Sequence, residues 1–192
     1  AIFNQDREKN APFIFMTTLW MSMALLDLGQ AATGKRQLEL LLERGEEMEK
    51  KAQGAVRKID QIAVCTYLGM ALLDLGQTDA ACTLLNRAAD TAVAFCGETS
   101  LPLAKVLLPW GRAMGALGEA QQHCAYVERA LHIFKTHYSV PHPDIAFALQ
   151  SRGIAFLALG DLHPAQQSLE EALGQFRALY GADHIQVAIT LA

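Results

Sequence analysis

Residues 152–173 read RGIAFLALGDLHPAQQSLEEAL, and their spacing decides the fold. Gly153 stands seven residues before Gly160, Asp161 follows, Ala165 comes five after that glycine, and Leu169 and Ala172 continue the pattern. Seven residues are about two helical turns, so Gly153 and Gly160 lie on nearly the same helix face. A small residue on that face lets a second helix approach closely. Glycine just past the last leucine is the expected left-handed cap, because it carries no side-chain penalty there. Asp161 is a polar residue suited to opening a helix. The stretch therefore reads as one hairpin of helix A, a short turn and helix B.

The same spacing recurs along the chain, which makes the hairpin a repeat module. Leu28 and Gly29, Leu75 and Gly76, Leu117 and Gly118, and Leu159 and Gly160 each end a helix, with successive glycines 47, 42 and 42 residues apart. Seven before each glycine lies Ser22, Gly69, Gly111 or Gly153. Nine after each stands Leu38, Leu85, Val127 or Leu169, and three further on Leu41, Ala88, Ala130 or Ala172. That i, i+3 stripe packs helix B back onto helix A. The turns continue with Gln30, Gln77, Glu119 and Asp161.

Asp60 and Asp144, each 16 residues before a turn glycine, read as N-caps of helix A. Pro102 and Pro143 punctuate two junctions where a preceding helix must have stopped. The five extra residues of the first period fall in or just after LLERGEEMEKKAQGAVRK, a longer solvated helix B in which Glu46 with Lys50 and Glu47 with Lys51 stand at helical spacing. The units so defined are about 13–54, 58–97, 102–140 and 143–181, with the start of a fifth over 183–192. Val187, Ala188 and Leu191 fall 42 residues after Ile145, Ala146 and Leu149, so the chain reads as a fragment of a longer array. The opening AIFNQDREKN reads as the tail of a preceding helix B or a linker.

Composition agrees with a helical protein. Of 192 residues 52% are hydrophobic but only 7% aromatic, so alanine and leucine carry the apolar content. The net charge of −4, without a basic stripe, argues against nucleic acid as a partner. Cys65, Cys82, Cys96 and Cys124 are too widely spaced for a zinc knuckle or redox pair and read as reduced thiols of a cytoplasmic protein. The most membrane-like run, Phe13 to Leu28, is shorter than the roughly 20 apolar residues of a span and contains Asp27. It also lacks the features of a signal peptide.

The order of small residue, apolar residue, glycine, alanine, apolar residue and alanine resembles the tetratricopeptide repeat. The 42-residue period and junctions such as YSVPHPDIAFAL and YGADHIQVAITL are similar to the kinesin-light-chain-like variety. The match departs in the first unit, where Gly34 replaces the alanine after the turn, and in the third, where His123 does. The resemblance implies an all-α, right-handed solenoid of antiparallel helix hairpins whose A helices line a concave surface. It further implies a non-catalytic protein-interaction module that binds a peptide or helical segment in that groove. The alternative is a regulatory or ligand-sensing domain of a larger multidomain protein.

Carried over from the family, the groove positions are Met16, Leu19 and Met23 in the first helix A, and Thr66, Tyr67 and Met70 in the second. The third contributes Lys105, Leu108 and Arg112, and the fourth Phe147, Gln150 and Ile154. Leu26 and Leu73 share the pattern but read as packing residues. The paired asparagines common in kinesin-light-chain-like repeats are replaced by Thr66 and Tyr67, Leu108 and Pro109, and Gln150 and Ser151. The lysine and asparagine set that clamps a terminal carboxylate in chaperone-binding relatives is also missing. What remains is an apolar, methionine-bearing floor with a basic centre, suited to an amphipathic or apolar segment carrying an acidic residue met by Arg112 and Lys105. Self-association through the array ends is a further expectation. Pro109 inside helix A should bend it and free the carbonyl of Lys105.

No catalytic motif is visible. His132, His137 and His142 recur at five-residue steps, which does not place three ligands on one helical face. His142 and His184 occupy junctions and read as repeat punctuation, and His123 with Cys124 has no partner nearby in sequence. No glycine-rich phosphate loop, GxSxG elbow or HExxH pair is present. No metal or cofactor is expected.

Overall fold

A computed structural model describes the backbone over residues 2–50 and 58–191 and the side chains over 14–47 and 58–191. Among the described residues the regular structure is all helical, without a strand. In chain order the helices are α1 (Ile2–Asp27), α2 (Ala31–Lys50), α3 (Lys58–Asp74), α4 (Thr78–Cys96), α5 (Leu101–Ala116), α6 (Ala120–His137), α7 (Pro143–Leu159), α8 (Leu162–Tyr180) and α9 (Ile185–Leu191). The chain divides into two compact units, Ala1–Thr91 and Ala92–Ala192.

Each hairpin turn is built the same way. Gly29, Gly76, Gly118 and Gly160 all take φ between 72° and 84°, the left-handed region in which any other residue would be strained. The next residue then donates its N–H back over the helix end: Gln30 to Leu25, Gln77 to Leu72, Glu119 to Met114 and Asp161 to Phe156, at 2.8–2.9 Å. The glycine's own N–H donates to the carbonyl three residues before it, so two orphan carbonyls are satisfied at every turn. Glu119 and Asp161 do stand at the start of α6 and α8, but their side chains make no capping bond. These residues serve through the backbone.

The hairpins close on the small residues. A Cβ built on Gly69 would stand 2.6 Å from Leu85 Cδ2, one on Gly153 2.6 Å from Leu169 Cγ, and one on Gly111 3.2 Å from Val127 Cγ2. The apolar residue nine after each turn glycine thus lies on the glycine seven before it. In the first hairpin Ser22 takes this place, fully buried, with its hydroxyl 2.8 Å from the Thr18 carbonyl and 3.1 Å from Gln37 Oε1. Leu38, Leu85 and Val127 are fully buried, as are Ala130 and Ala172. Each buried leucine contributes on the order of 2 kcal/mol of apolar transfer.

In the first unit α2 packs on both α1 and α3, and the core includes Leu19, Leu38, Leu41, Val64 and Leu85. Arg87 on α4 reaches Glu46 on α2 at 3.3 Å and the Cys65 thiol at 3.5 Å. In the second unit α6 packs between α5 and α7, α8 against α7 and α9, and α5 also meets α7. Its core centres on Leu103, Leu107, Ile133, Phe134, Ile145, Leu149 and Phe176. Helix α5 runs on through Pro109, whose ring is buried.

The junctions correct one sequence expectation. Asp144 is not the N-cap of α7 but lies in its first turn; the cap is His142, whose Nδ1 accepts the N–H of Asp144 at 3.2 Å. His184 repeats the device, accepting the N–H of Gln186 at 3.2 Å. Each imidazole is held by a tyrosine four residues earlier: Tyr138 stacks on His142 at 3.6 Å between ring centroids, and Tyr180 on His184 at 4.5 Å. Asp60 likewise lies inside α3, in its first turn. Residues 51–57, where the extra length of the first period and Lys51 fall, lie outside the described residues, as does the side chain of Lys50.

Candidate functional site

A helix can offer a partner only what its neighbours leave uncovered. In the first unit Leu19 is 3% exposed and Thr66 5%, so neither reaches a surface. Leu19 belongs to the core, and the Thr66 hydroxyl is spent on the carbonyl of Ile62 at 2.7 Å. The sequence pattern identified their helix face correctly as apolar, but that face is packed at these two points. Met16 and Met23 on α1 and Tyr67 and Met70 on α3 are half-buried, leaving part of each side chain accessible. Trp20, one residue from the expected stripe, is 62% exposed. An exposed tryptophan beside half-buried methionines was readable from the sequence only as part of an apolar run.

In the second unit the expected residues fall in register on two neighbouring helices. Lys105, Leu108 and Arg112 stand at i, i+3 and i+7 on α5, and Phe147, Gln150 and Ile154 at the same steps on α7. Lys105 and Arg112 are exposed and Leu108 is half-buried. Ile154 is 51% exposed, and Phe147 rests edge-on against Phe176 at 5.1 Å with part of its ring uncovered. Lys105 and Gln150 also make polar contacts within the unit. Lys105 Nζ lies 3.7 Å from Asp144 Oδ2, and Gln150 Nε2 donates to Thr190 Oγ1 at 3.0 Å. Lys105 is therefore engaged across α5 and α7. That ion pair is half-exposed and contributes little by itself. The Asp144 carboxylate also adds to burial in pushing the Tyr138 phenol up from its ordinary value.

Beside Arg112, on α6, lies a group that the sequence marked only as a departure from the repeat. His123 is buried, with Nε2 3.1 Å from the Ser151 hydroxyl on α7. Burial, and then the charge of Arg112, hold its pKa below the ordinary histidine value. Arg152, next to Ser151, turns the other way to donate to Ser168 at 3.0 Å and to meet Glu171 at 3.6 Å. A shallow cavity of about 300 Å³ opens at the far end of this unit, lined by Leu157, Leu162, Leu169 and Leu173 of α7 and α8 and by Thr190 and Leu191 of α9.

The four cysteines carry free thiols, Cys65 and Cys124 buried and Cys82 and Cys96 partly so. Burial pushes the Cys65 and Cys124 thiols up, away from the nucleophilic thiolate. Among the described residues no three His, Cys, Asp or Glu side chains come together as a metal site. Among them also, no helix is long and apolar enough to cross a membrane.

No protein-family model and no curated protein sequence matches the chain. Solved structures do. A single-substitution variant of a Podosopora anserina protein, described as a kinesin light chain with nearly identical TPR-like repeats, superposes with a TM-score of 0.69 at 16% identity, covering 93% of this chain and 82% of its own. BtubC (BKLC) from P. vanneervenii gives 0.67 at 17% identity, covering 92% and 73%. The MamA protein gives 0.53 at 18% identity, covering 92% and 82%. The chain is thus a tetratricopeptide-like array of the all-α solenoid class, similar in fold to kinesin-light-chain-like repeats.

Proposed function

We propose that this chain is a non-catalytic protein-interaction module, and that the inner face of the second unit binds a peptide or helical segment of a partner protein. The observation that carries the reading is that Phe147 and Ile154 on α7 leave apolar surface exposed, while Arg112 is exposed on α5, the helix that α7 meets. Apolar surface held beside a fixed cation suits an amphipathic or extended segment with one acidic residue. The half-buried Met16, Met23, Tyr67 and Met70 of the first unit supply adaptable apolar surface of the same kind. The fold likeness to repeat proteins supports a protein as the partner rather than a small molecule.

The test is a panel of apolar peptides with and without a central acidic residue, read by fluorescence anisotropy. Changing Arg112→Glu should weaken acidic members at least tenfold while leaving helicity by circular dichroism unchanged. Ile154→Asp should weaken both sets. Equal binding by the wild type and both variants would remove the inner face from consideration.

A further inference from the structure

The third hairpin exchanges a large and a small residue between its two helices. Five after the turn glycine, the other hairpins carry Gly34, Ala81 and Ala165, all buried; the third carries His123, also buried at 4% exposure. Three before the turn glycine, the others carry Leu26, Leu73 and Leu157, whereas the third carries Gly115. The geometry shows that these changes compensate. A Cβ on Gly34 would stand 2.9 Å from Leu26 Cδ2, and a Cβ on Gly115 would stand 2.7 Å from His123 Nδ1. The space that helix A fills with leucine in the first hairpin is filled from helix B by an imidazole in the third. Volume is kept, as close-packed interiors require, but a group that cannot ionise has been replaced by one that can.

The ring is confined on its other sides. A Cβ on Gly111 would stand 3.1 Å from His123 Cδ2, so the ring lies close against α5 at two successive turns. Toward α7 its partner is the neutral Ser151 hydroxyl, and the neighbouring Arg152 points away to Ser168 and Glu171. From α5 the charge that acts on the ring is the positive one of Arg112. On α6 itself the next residue is Cys124, a neutral buried thiol. A second ring proton would make both nitrogens donors and place a cation, next to another cation, in a site shaped for a neutral ring.

We propose that His123 is a proton-responsive joint in the second unit: the neutral imidazole closes the α5–α6–α7 packing, and its protonation loosens it. The sign follows from linkage. The opened or unfolded state takes up a proton near the ordinary histidine value of about 6.5, and the closed state only at lower pH. The contribution is therefore fully present above about pH 6.5 and is lost as pH falls below it, by at most about tenfold in the opening constant per pH unit. This device does not depend on what the inner face binds.

The test is amide hydrogen exchange of the whole chain at pH 7.5, 6.5 and 5.5, corrected for intrinsic rates. Wild-type protection in α5 and α6 should fall severalfold across the series, and the His123→Gln variant should show no such fall. His142 caps α7 through its ring nitrogen, so His142→Asn serves as a control and should keep the wild-type response in α5 and α6. The same fall in His123→Gln as in wild type would overturn the proposal. If that variant does not fold, the imidazole resonances of wild-type His123 decide: a midpoint below 6.5 supports the joint, and one at or above 6.5 overturns it.

Discussion

Gly153 and Gly174 belong to the same hairpin and have opposite surroundings. A methyl on Gly153 would stand 2.6 Å from the branch carbon of Leu169, while nothing lies within 4 Å of the corresponding point on Gly174, in exposed mid-α8. Alanine gains about 1 kcal/mol of helix propensity at either site, but overpacking a tight contact costs about 1–3 kcal/mol. Urea denaturation should show Gly174→Ala stabilising by about 0.5–1 kcal/mol and Gly153→Ala destabilising by about 1 kcal/mol. The sequence marked Gly153 as a close approach through its place in the repeat. It marked Lys105 and Arg112 as the basic centre of the groove, without showing what Lys105 meets. A charge pattern shows which residues are ionised, whereas the pairing of Lys105 with Asp144 depends on α7 lying beside α5.

At the scale of the helix, starts were harder to read than ends. Glycine at the end is required by the positive φ, so the four turn glycines identify helix ends directly. At the start several residue types can serve, and the nearby acidic residue drew the assignment to Asp144 although His142 accepts the bond. The repeated Tyr-x-x-x-His of the two junctions was the available signal. Stacking on Tyr138 fixes the ring so that Nδ1 faces the Asp144 amide. His142→Ala should cost about 1 kcal/mol in thermal or urea unfolding, as cap losses do, and His142→Asn should recover most of it. The apolar face of helix A was similarly legible as a stripe, but not the depth at which each residue lies. Leu19 and Thr66 share that stripe with Met16 and Tyr67, yet neighbouring helices bury the first two and leave the others half open.

At the scale of the whole molecule, repeat proteins are stabilised by contacts with the next helix along, so local stability follows the number of neighbours. Helix α9 has seven residues, with Val187 buried and Ile185, Ile189 and Leu191 exposed. Its amides should exchange fastest in the second unit, and those of α6 and α7, packed on both sides, slowest. Equal protection of α9 and α7 in this chain would contradict that distribution. The exchange experiment that tests His123 reads both.

The repeat, the class of fold and the closing of each hairpin were determined by the sequence itself, because they rest on local physics: a positive φ that glycine permits, a face that recurs every two turns, and a small residue opposite an apolar one. The repeat pattern also marks His123 as a departure of the third hairpin, and Gly115 stands there where the other three carry leucine. Tertiary structure alone decided that these departures occupy a single space, that Lys105 is already paired, and that part of the expected inner face is core. Those outcomes depend on which side chains from different helices meet. No spacing along one helix carries that information.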